Sequence, residues 1–279
     1  MIEILKAALF GLVEGITEWL PISSTGHMIL LNEFVKLDVS TEFWDMFLVV
    51  IQFGAILAVI LLYWKTIWPL GLYKHRKRTR IVWKQDTLQL WLKTIVACIP
   101  AAIVGVAFDD WLDEHLYNWL VVSIMLILVG VVFLIVEHVQ KDKEPVVTDL
   151  RDLTMKDALL IGLFQLIAAV FPGTSRSGAT IVGGLAIGVS RTVAAEFTFI
   201  LAIPVMVGAS LLKILKFGFS FTGTEAVILA VGMVVAFLVS VIVIRFLMGY
   251  IRKHDFQPFG VYRIILGALV IAYFALIRG

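Results

Sequence analysis

Long runs of apolar residues, separated by short polar and charged segments, dominate the chain. A transmembrane helix needs about 17 to 25 mostly apolar residues, and six runs meet this length. They lie at 43–64, 90–107, 118–137, 192–213, 224–244 and 262–278. Because these runs lack the two-residue alternation of a barrel strand, the pattern predicts an all-α polytopic membrane protein with six spanning helices.

Two further apolar stretches, 1–36 and 157–190, are each broken by a proline, Pro21 in the first and Pro172 in the second. Breaks of this kind are typical of half-helices that enter the membrane and turn back. Such backbone is tolerated only where it lines a protein or water-filled cavity. We therefore expect two proline-broken re-entrant helical hairpins in addition to the six spanning helices.

Composition supports a membrane protein and excludes some functions. Hydrophobic residues make up 61% of the 279 residues, charged residues only 16%, and the mean hydropathy is +0.99. Soluble globular domains have an apolar share of roughly 45 to 50%. The net charge of +2 is too small to indicate binding of nucleic acid.

The basic residues of the loops predict the orientation, because cytoplasmic loops carry an excess of Lys and Arg. The segment 65–89 holds seven basic residues and one acid, whereas 108–117 holds four acids and no Lys or Arg. This places 65–89 inside and 108–117 outside. If each broken stretch leaves from the side it entered, both termini lie outside. The first broken stretch then enters from outside and the second from inside.

An internal repeat agrees with these opposite orientations. A shift of 151 residues, without a gap, gives seven identities over 21 positions, including Pro21 on Pro172, and places Ser24 on Ser175. The chain is therefore interpreted as one membrane domain, 1–279, with a first repeat element at 1–64 and a second, inverted element at 157–213. Inverted repeats with broken helices place their polar site near the middle of the membrane.

Glu14 and Glu18 precede the first proline and are four residues apart, on one face of a helix. Two carboxylates at this spacing in an apolar setting repel each other unless one is protonated or a cation lies between them. The alternative is that both reach a water interface and only cap the bundle.

The segment "SSTGH" follows Pro21 and has the character of a helix N-terminus. Its exposed backbone N–H groups, with the hydroxyls of Ser23, Ser24 and Thr25, predict a site for an anion. His27 is a candidate proton carrier because it is close to a serine and an acid. The alternatives are an ordinary helix cap and an interior histidine.

The segment "PGTSRSGAT" repeats this pattern in the second half and adds Arg176. An arginine within a membrane is costly, and its planar fork suits bidentate contact with phosphate. The alternative is a salt bridge from Arg176 to Glu14 or Glu18. The other candidate phosphate-binding residues of this segment are Gly173, Thr174, Ser175, Ser177 and Thr180.

Taken together, these groups indicate phosphoryl transfer on a substrate with a lipid tail. Ser24 is the candidate nucleophile, His27 the acid or base, and Arg176 the phosphate-binding cation. Glu14 and Glu18 are candidate ligands for Mg²⁺ or Ca²⁺, which would bridge them to phosphate oxygens.

The segments "EGITE", "PISSTGH" and "PGTSRSGAT" resemble the two signature regions of the bacterial undecaprenyl-diphosphate phosphatases of the bacitracin-resistance type. The resemblance extends over nearly the whole chain. It implies hydrolysis of undecaprenyl diphosphate to the monophosphate with a divalent cation, and recycling of the lipid carrier for cell-wall synthesis. It also implies a site that faces the outer side of the plasma membrane, with the roles given above for Glu14, Glu18, Ser24, His27 and Arg176. The nucleophile is either Ser24 or a metal-activated water.

Two other classes of protein remain as alternatives. A polyprenyl-phosphate transporter or flippase would share the inverted repeats and the polar site near the middle of the membrane. A membrane phosphatase of the phosphatidic-acid type would need a histidine after its Ser-Arg pair, and none occurs between His138 and His254. The expected partners are the polyprenyl diphosphate substrate and membrane lipids, and the sequence is also compatible with a homodimer.

Overall fold

The computed structural model describes residues 1–75, 78–218 and 220–278, and this part of the chain is mostly helical. Six of its helices are long and apolar enough to cross a membrane, which confirms the predicted number. These helices are α3 (Thr41–Leu62), α5 (Gln85–Leu116), α6 (Trp119–Gln140), α9 (Arg191–Phe217), α10 (Gly223–Ile251) and α11 (Gln257–Tyr273). The protein is therefore a multi-pass membrane protein.

Each proline-broken stretch forms two shorter helices, as its sequence predicts. The first stretch forms α1 (Ile2–Thr17) and α2 (Ser24–Phe34), and the second forms α7 (Met155–Val170) and α8 (Arg176–Ala186). Both prolines lie in the turns between the paired helices. That each pair enters and leaves on one side of the membrane stays a prediction.

The basic segment between α3 and α5 contains elements that the hydrophobic pattern does not predict. A short helix α4 (Trp64–Ile67) is followed by two antiparallel strands, β1 (Leu70–His75) and β2 (Arg78–Trp83). Aromatic and β-branched residues, which favour strands, are frequent in β2 and not in β1. Two of the basic residues counted for orientation, Arg76 and Lys77, lie outside the described residues. A π-helical turn, Phe274–Arg278, follows α11.

Glycines allow the short helices to pack closely on spanning helices. At Gly11 of α1, an added Cβ would overlap the carbonyl oxygen of Gly232 in α10. At Gly162 of α7, it would overlap the carbonyl oxygen of Ala97 in α5. Gly11 and Gly162 are 151 residues apart, so the two halves use the same position for the same kind of contact. This packing supports the predicted repeat, although its inversion stays a prediction.

Candidate functional site

The turns that follow the two prolines share an unusual backbone conformation. Ser23 has φ +73° and Ser175 has φ +68°, and they are the two non-glycine residues with positive φ in the described chain. Each is the N-cap of the following helix: Ser23 Oγ accepts from Gly26 N at 3.4 Å and Ser175 Oγ from Gly178 N at 3.1 Å. A strained residue of this kind costs about 1–3 kcal/mol and is found mostly at functional sites.

The structure corrects the register of the repeat beyond the prolines. The equivalent caps, Ser23 and Ser175, are 152 residues apart, because the second turn has one more residue between its proline and its cap. The uninterrupted shift of 151, which places Ser24 on Ser175, therefore does not hold here. Ser24 and Arg176 instead occupy equivalent positions, the first residues of α2 and α8.

Glu18 connects these two first residues. Ser24 Oγ donates a hydrogen bond to Glu18 Oε2 at 2.8 Å, and Arg176 Nη2 donates to Glu18 Oε1 at 3.0 Å. Ser177 Oγ donates to the backbone carbonyl of Glu18 at 3.0 Å. The side chains of Glu18 and Arg176 are only 8% and 12% exposed. The structure thus brings the candidate nucleophile, an acid and the candidate phosphate-binding cation together in a largely buried site.

The far side of the Arg176 guanidinium is held by α9. Its Nη1 donates to the carbonyl oxygen of Thr198 at 2.9 Å. Thr198 Oγ1 donates to Thr180 Oγ1 at 2.8 Å, and Thr180 Oγ1 donates to the Arg176 carbonyl at 2.9 Å. Thr180 was predicted to bind phosphate, but in this arrangement its hydroxyl supports the backbone and position of Arg176.

Several buried polar atoms of the site have no hydrogen-bond partner in the described structure. They are Glu14 Oε1, Thr174 Oγ1, Arg176 Nε and both amide atoms of Gln165, the residue of α7 that is 151 positions after Glu14. Glu14 is 1% exposed, and its carboxyl interacts electrostatically with Glu18 and Arg176. Most buried polar groups in folded proteins are paired, so each exception needs an explanation. Glu14 Oε1, Thr174 Oγ1 and Arg176 Nε could therefore pair with a polar ligand, although Trp19 Nε1, Ser240 Oγ and Arg263 Nε are also unpaired.

His27 does not form a hydrogen bond with Ser24. Its Nδ1 lies 2.7 Å from the carbonyl oxygen of Ser23, and its Nε2 lies 2.7 Å from the hydroxyl of Tyr262. The carbonyl can only accept, so Nδ1 donates, and in neutral His27 the Tyr262 hydroxyl donates to Nε2. The rings are also stacked, with centroids 5.6 Å apart. The role of His27 as proton carrier stays a prediction, and Tyr262 is a neighbour that the sequence analysis missed.

Arg263 is a second residue that the sequence analysis missed. It is fully buried, and Nη1 donates to the carbonyl of Pro21 at 3.2 Å, while Nη2 donates to the carbonyls of Gly173 and Thr174, both at 2.9 Å. Arg263 therefore ties the two proline turns together. Gly173 has φ +89°, and an added Cβ would come within 2.6 Å of the Val122 carbonyl oxygen. The sequence signal that could have identified Arg263 is its position within the last apolar run, because charged residues inside a membrane are costly.

The remaining predicted residues line the same two helix starts. The Ser175 and Ser177 hydroxyls lie 3.1 Å apart, and the half-buried Thr25 side chain makes no hydrogen bond within the described residues. In the part of the chain that the structure describes, no group of three or more His, Cys, Asp or Glu residues could hold a metal ion. Glu14 and Glu18 are thus a pair of carboxylates without a third ligand of these types.

Comparison with known proteins matches nearly the whole chain to one family. Residues 7–269 match the family described as bacitracin resistance protein BacA. The chain is 60% identical over 275 residues to an undecaprenyl-diphosphatase of Desulfitobacterium hafniense, covering 99% of this chain and 97% of the relative. It is 59% identical over 276 residues to undecaprenyl-diphosphatase 1 of Clostridium acetobutylicum, covering 99% of both chains. It is 55% identical over 278 residues to an undecaprenyl-diphosphatase of Acetivibrio thermocellus, covering 100% of both.

The matched range contains both proline turns, Glu14, Glu18, Ser24 and Arg176. The family match covers most of the chain, and the relatives are more than half identical to it over nearly their full length. The chain belongs to the bacitracin resistance protein BacA family.

Proposed function

We propose that this protein is an integral membrane phosphatase that hydrolyses undecaprenyl diphosphate to undecaprenyl phosphate and inorganic phosphate. The reaction recycles the cell-wall lipid carrier and confers resistance to bacitracin. The family and the full-length relatives named undecaprenyl-diphosphatase support this activity. The observation that carries it is the contact of one buried carboxylate, Glu18, with both a serine hydroxyl and an arginine.

The geometry favours Ser24 as the nucleophile. Glu18 Oε2 accepts the Ser24 hydroxyl proton as Oγ forms a bond to the terminal phosphorus. The bond from this phosphorus to the bridging oxygen breaks, and its electron pair leaves with undecaprenyl phosphate. Glu18 passes the proton to water. A second water then attacks the phosphoserine, Glu18 takes its proton and returns it to Ser24 Oγ, and inorganic phosphate is released.

Arg176 and the helix starts stabilise the charge of the transferred phosphoryl group. Nη1 and Nη2 of Arg176 are already engaged by Thr198 and Glu18, but its buried Nε is unpaired. This N–H can donate to a phosphate oxygen without loss of the ion pair. The first backbone N–H groups of α2 and α8 lack helical partners and also favour an anion.

The carboxylate pair fits a divalent cation, and we propose that Glu14 and Glu18 hold Mg²⁺ or Ca²⁺. Glu14 Oε1 is buried without a partner, and Mg²⁺ is usually held by one or two carboxylates together with substrate phosphates. When bound, the ion would neutralise charge on the phosphate oxygens. A chelator should abolish phosphate release and added Mg²⁺ or Ca²⁺ should restore it; full activity in excess chelator would contradict this site.

Release of phosphate from undecaprenyl diphosphate by the purified protein in detergent tests the function. No membrane is present, so a transporter without hydrolytic activity would release no phosphate. Ser24→Ala should abolish release, and the exposed control Ser220→Ala should not. With substrate labelled in its terminal phosphate, acid quenching should trap labelled phosphoserine on the wild-type chain. An inactive wild-type protein contradicts the function; a normal rate for Ser24→Ala contradicts only the covalent route and favours attack by water.

We further propose that the site faces the outer side of the bacterial plasma membrane, with the basic loops inside. Single cysteines introduced at Glu114 and Lys143 test this in a Cys98→Ser background. A membrane-impermeant maleimide should label Glu114→Cys in intact spheroplasts and Lys143→Cys only after permeabilisation. The reverse pattern would overturn the orientation.

A further inference from the structure

A polar surface pocket of about 410 Å³, called the cavity below although it is open to solvent, lies apart from the phosphoryl-transfer site. It lies where the ends of α6, α9, α10 and α11 meet, and its lining residues are Lys141, Arg191, Tyr250, Lys253, His254, Asp255 and Pro258. None of these residues contacts Glu18, Ser24 or Arg176. Arg191 begins α9 seven residues before Thr198, which corresponds to about 10 Å along a helix. The cavity is therefore a second polar region of the molecule.

The cavity carries excess positive charge. Lys141, Arg191 and Lys253 are its three permanent cations and Asp255 is the one acid of its lining; Glu137 pairs with Arg191, so the five groups together carry a formal charge of +1. In the part of the chain that the structure describes, the ammonium groups of Lys141 and Lys253 make no ion pair or hydrogen bond. The Asp255 carboxylate instead accepts from the backbone and side-chain N–H groups of Gln257, both at 3.1 Å. Two lysines thus remain available to an anion.

Arg191 is held in a fixed orientation. Its Nε donates to Glu137 at 3.0 and 3.1 Å, and its Nη2 also donates to Glu137, which is 1% exposed. Glu137 Oε1 accepts a further hydrogen bond from Phe256 N at 2.9 Å. The Nη1 group has no partner within the described residues, and the side chain is 35% exposed. A donor fixed in this way loses little conformational entropy when it binds a ligand.

An aromatic row leads from the cavity to the apolar surface of α10. The Tyr250 ring stacks on His254 at 4.5 Å and on Phe246 at 6.0 Å. Phe246 is one turn nearer the middle of this spanning helix and is 59% exposed. A lipid whose headgroup occupies the cavity would find an apolar surface for its chain beside it.

We propose that this cavity binds a phosphate-bearing anion, carried by the headgroup of an anionic membrane lipid or present as inorganic phosphate. Basic pockets between membrane helices are known to bind anionic lipid headgroups. The cavity supplies two free ammonium groups and an oriented guanidinium, which suit the oxygens of a phosphate. This site is distinct from the phosphatase site and does not depend on the proposed hydrolysis.

The double variant Lys141→Gln/Lys253→Gln of the full chain tests the proposal. Its matched control is Lys143→Gln/Lys156→Gln, which removes the same charge from exposed lysines outside the cavity. Native mass spectrometry of the detergent-purified proteins measures the apparent Kd for phosphatidylglycerol, with phosphatidylcholine as the zwitterionic reference. Each cavity lysine should contribute about fivefold to the affinity, so the double variant should bind phosphatidylglycerol about 25-fold more weakly than the control.

A second arm measures inorganic phosphate by equilibrium dialysis. All variants keep the phosphatase site and any phosphate bound there. The difference in bound phosphate between the double variant and the control therefore measures binding at the cavity. Selective loss of phosphatidylglycerol binding supports the lipid source, and loss of both ligands supports a site for phosphate itself. Equal affinities of double variant and control for both probes would overturn the proposal. Two controls exclude misfolding: the variants should unfold at the same temperature without ligand, and each single variant should weaken binding about fivefold. Unchanged phosphate release from undecaprenyl diphosphate would show that the phosphatase is intact.

Discussion

Replacement of Glu18 by glutamine tests the arrangement of the site most directly. Glu18→Gln keeps the size of the side chain but removes its charge. The amide places an NH2 donor where one carboxylate oxygen was, so the contacts of Ser24 Oγ with Oε2 and of Arg176 Nη2 with Oε1 cannot both be kept in their present geometry. The variant should therefore lose both the base for Ser24 and the charged partner of Arg176.

The expected magnitudes follow from these contacts and from their burial. General base catalysis contributes about 10²–10⁴ in rate, so phosphate release should fall by that factor. Loss of one partner of a buried ion pair costs about 3–5 kcal/mol. Arg176 is 12% exposed and retains its hydrogen bond to the Thr198 carbonyl, so we expect a destabilisation of about 3 kcal/mol, at the lower end of this range.

The assay combines initial rates of phosphate release with thermal unfolding of the detergent-purified protein. Glu144→Gln is the control, because this exposed side chain makes no hydrogen bond or ion pair within the described residues, and it should leave both measurements unchanged. The double variant Glu18→Gln/Arg176→Gln should recover part of the lost stability and none of the activity. Removal of both charges leaves no buried ion unpaired.

Two results would refute this reasoning. A rate for Glu18→Gln within tenfold of wild type would show that Glu18 is not the base. A double variant destabilised by the sum of the two single substitutions would show that the contact between Glu18 and Arg176 contributes no coupling energy.

Three further substitutions test the supports of the site. Arg263→Met should lower both thermal stability and activity, because it leaves buried carbonyls of the two proline turns unpaired at about 1–3 kcal/mol each; unchanged unfolding would contradict this. Tyr262→Phe tests the predicted role of His27 as a proton carrier beside Glu18: loss of the hydroxyl that donates to Nε2 destabilises the neutral imidazole, so the pH profile of phosphate release should move to higher pH without a change in unfolding temperature, and an unshifted profile would exclude this role. Gly11→Ala should destabilise the protein by about 1–3 kcal/mol through overlap with α10, and Gly208→Ala, which meets open space, should not.

Much of the site could be predicted because its residues cluster in two short segments. Polar residues around a proline are rare in membrane helices, so "PISSTGH" and "PGTSRSGAT" stand out from the apolar background. The salt bridge of Arg176 to one of the two glutamates was one of the predicted alternatives, and the structure selects Glu18. The structure also joins Ser24 to Glu18, and not to His27.

Hydropathy is a local property of the chain, and for this reason the amino-acid pattern alone specifies the membrane class, the six spanning helices and the two broken stretches. Contacts between distant segments depend on how the helices pack. Tyr262 and Arg263 follow the first turn by more than 230 residues, and only the packing of α11 brings them to it. A comparison of the two halves at a constant shift of 151 residues likewise does not show the one-residue change of register. The equivalent positions are defined by backbone conformation, because Ser23 and Ser175 both have positive φ.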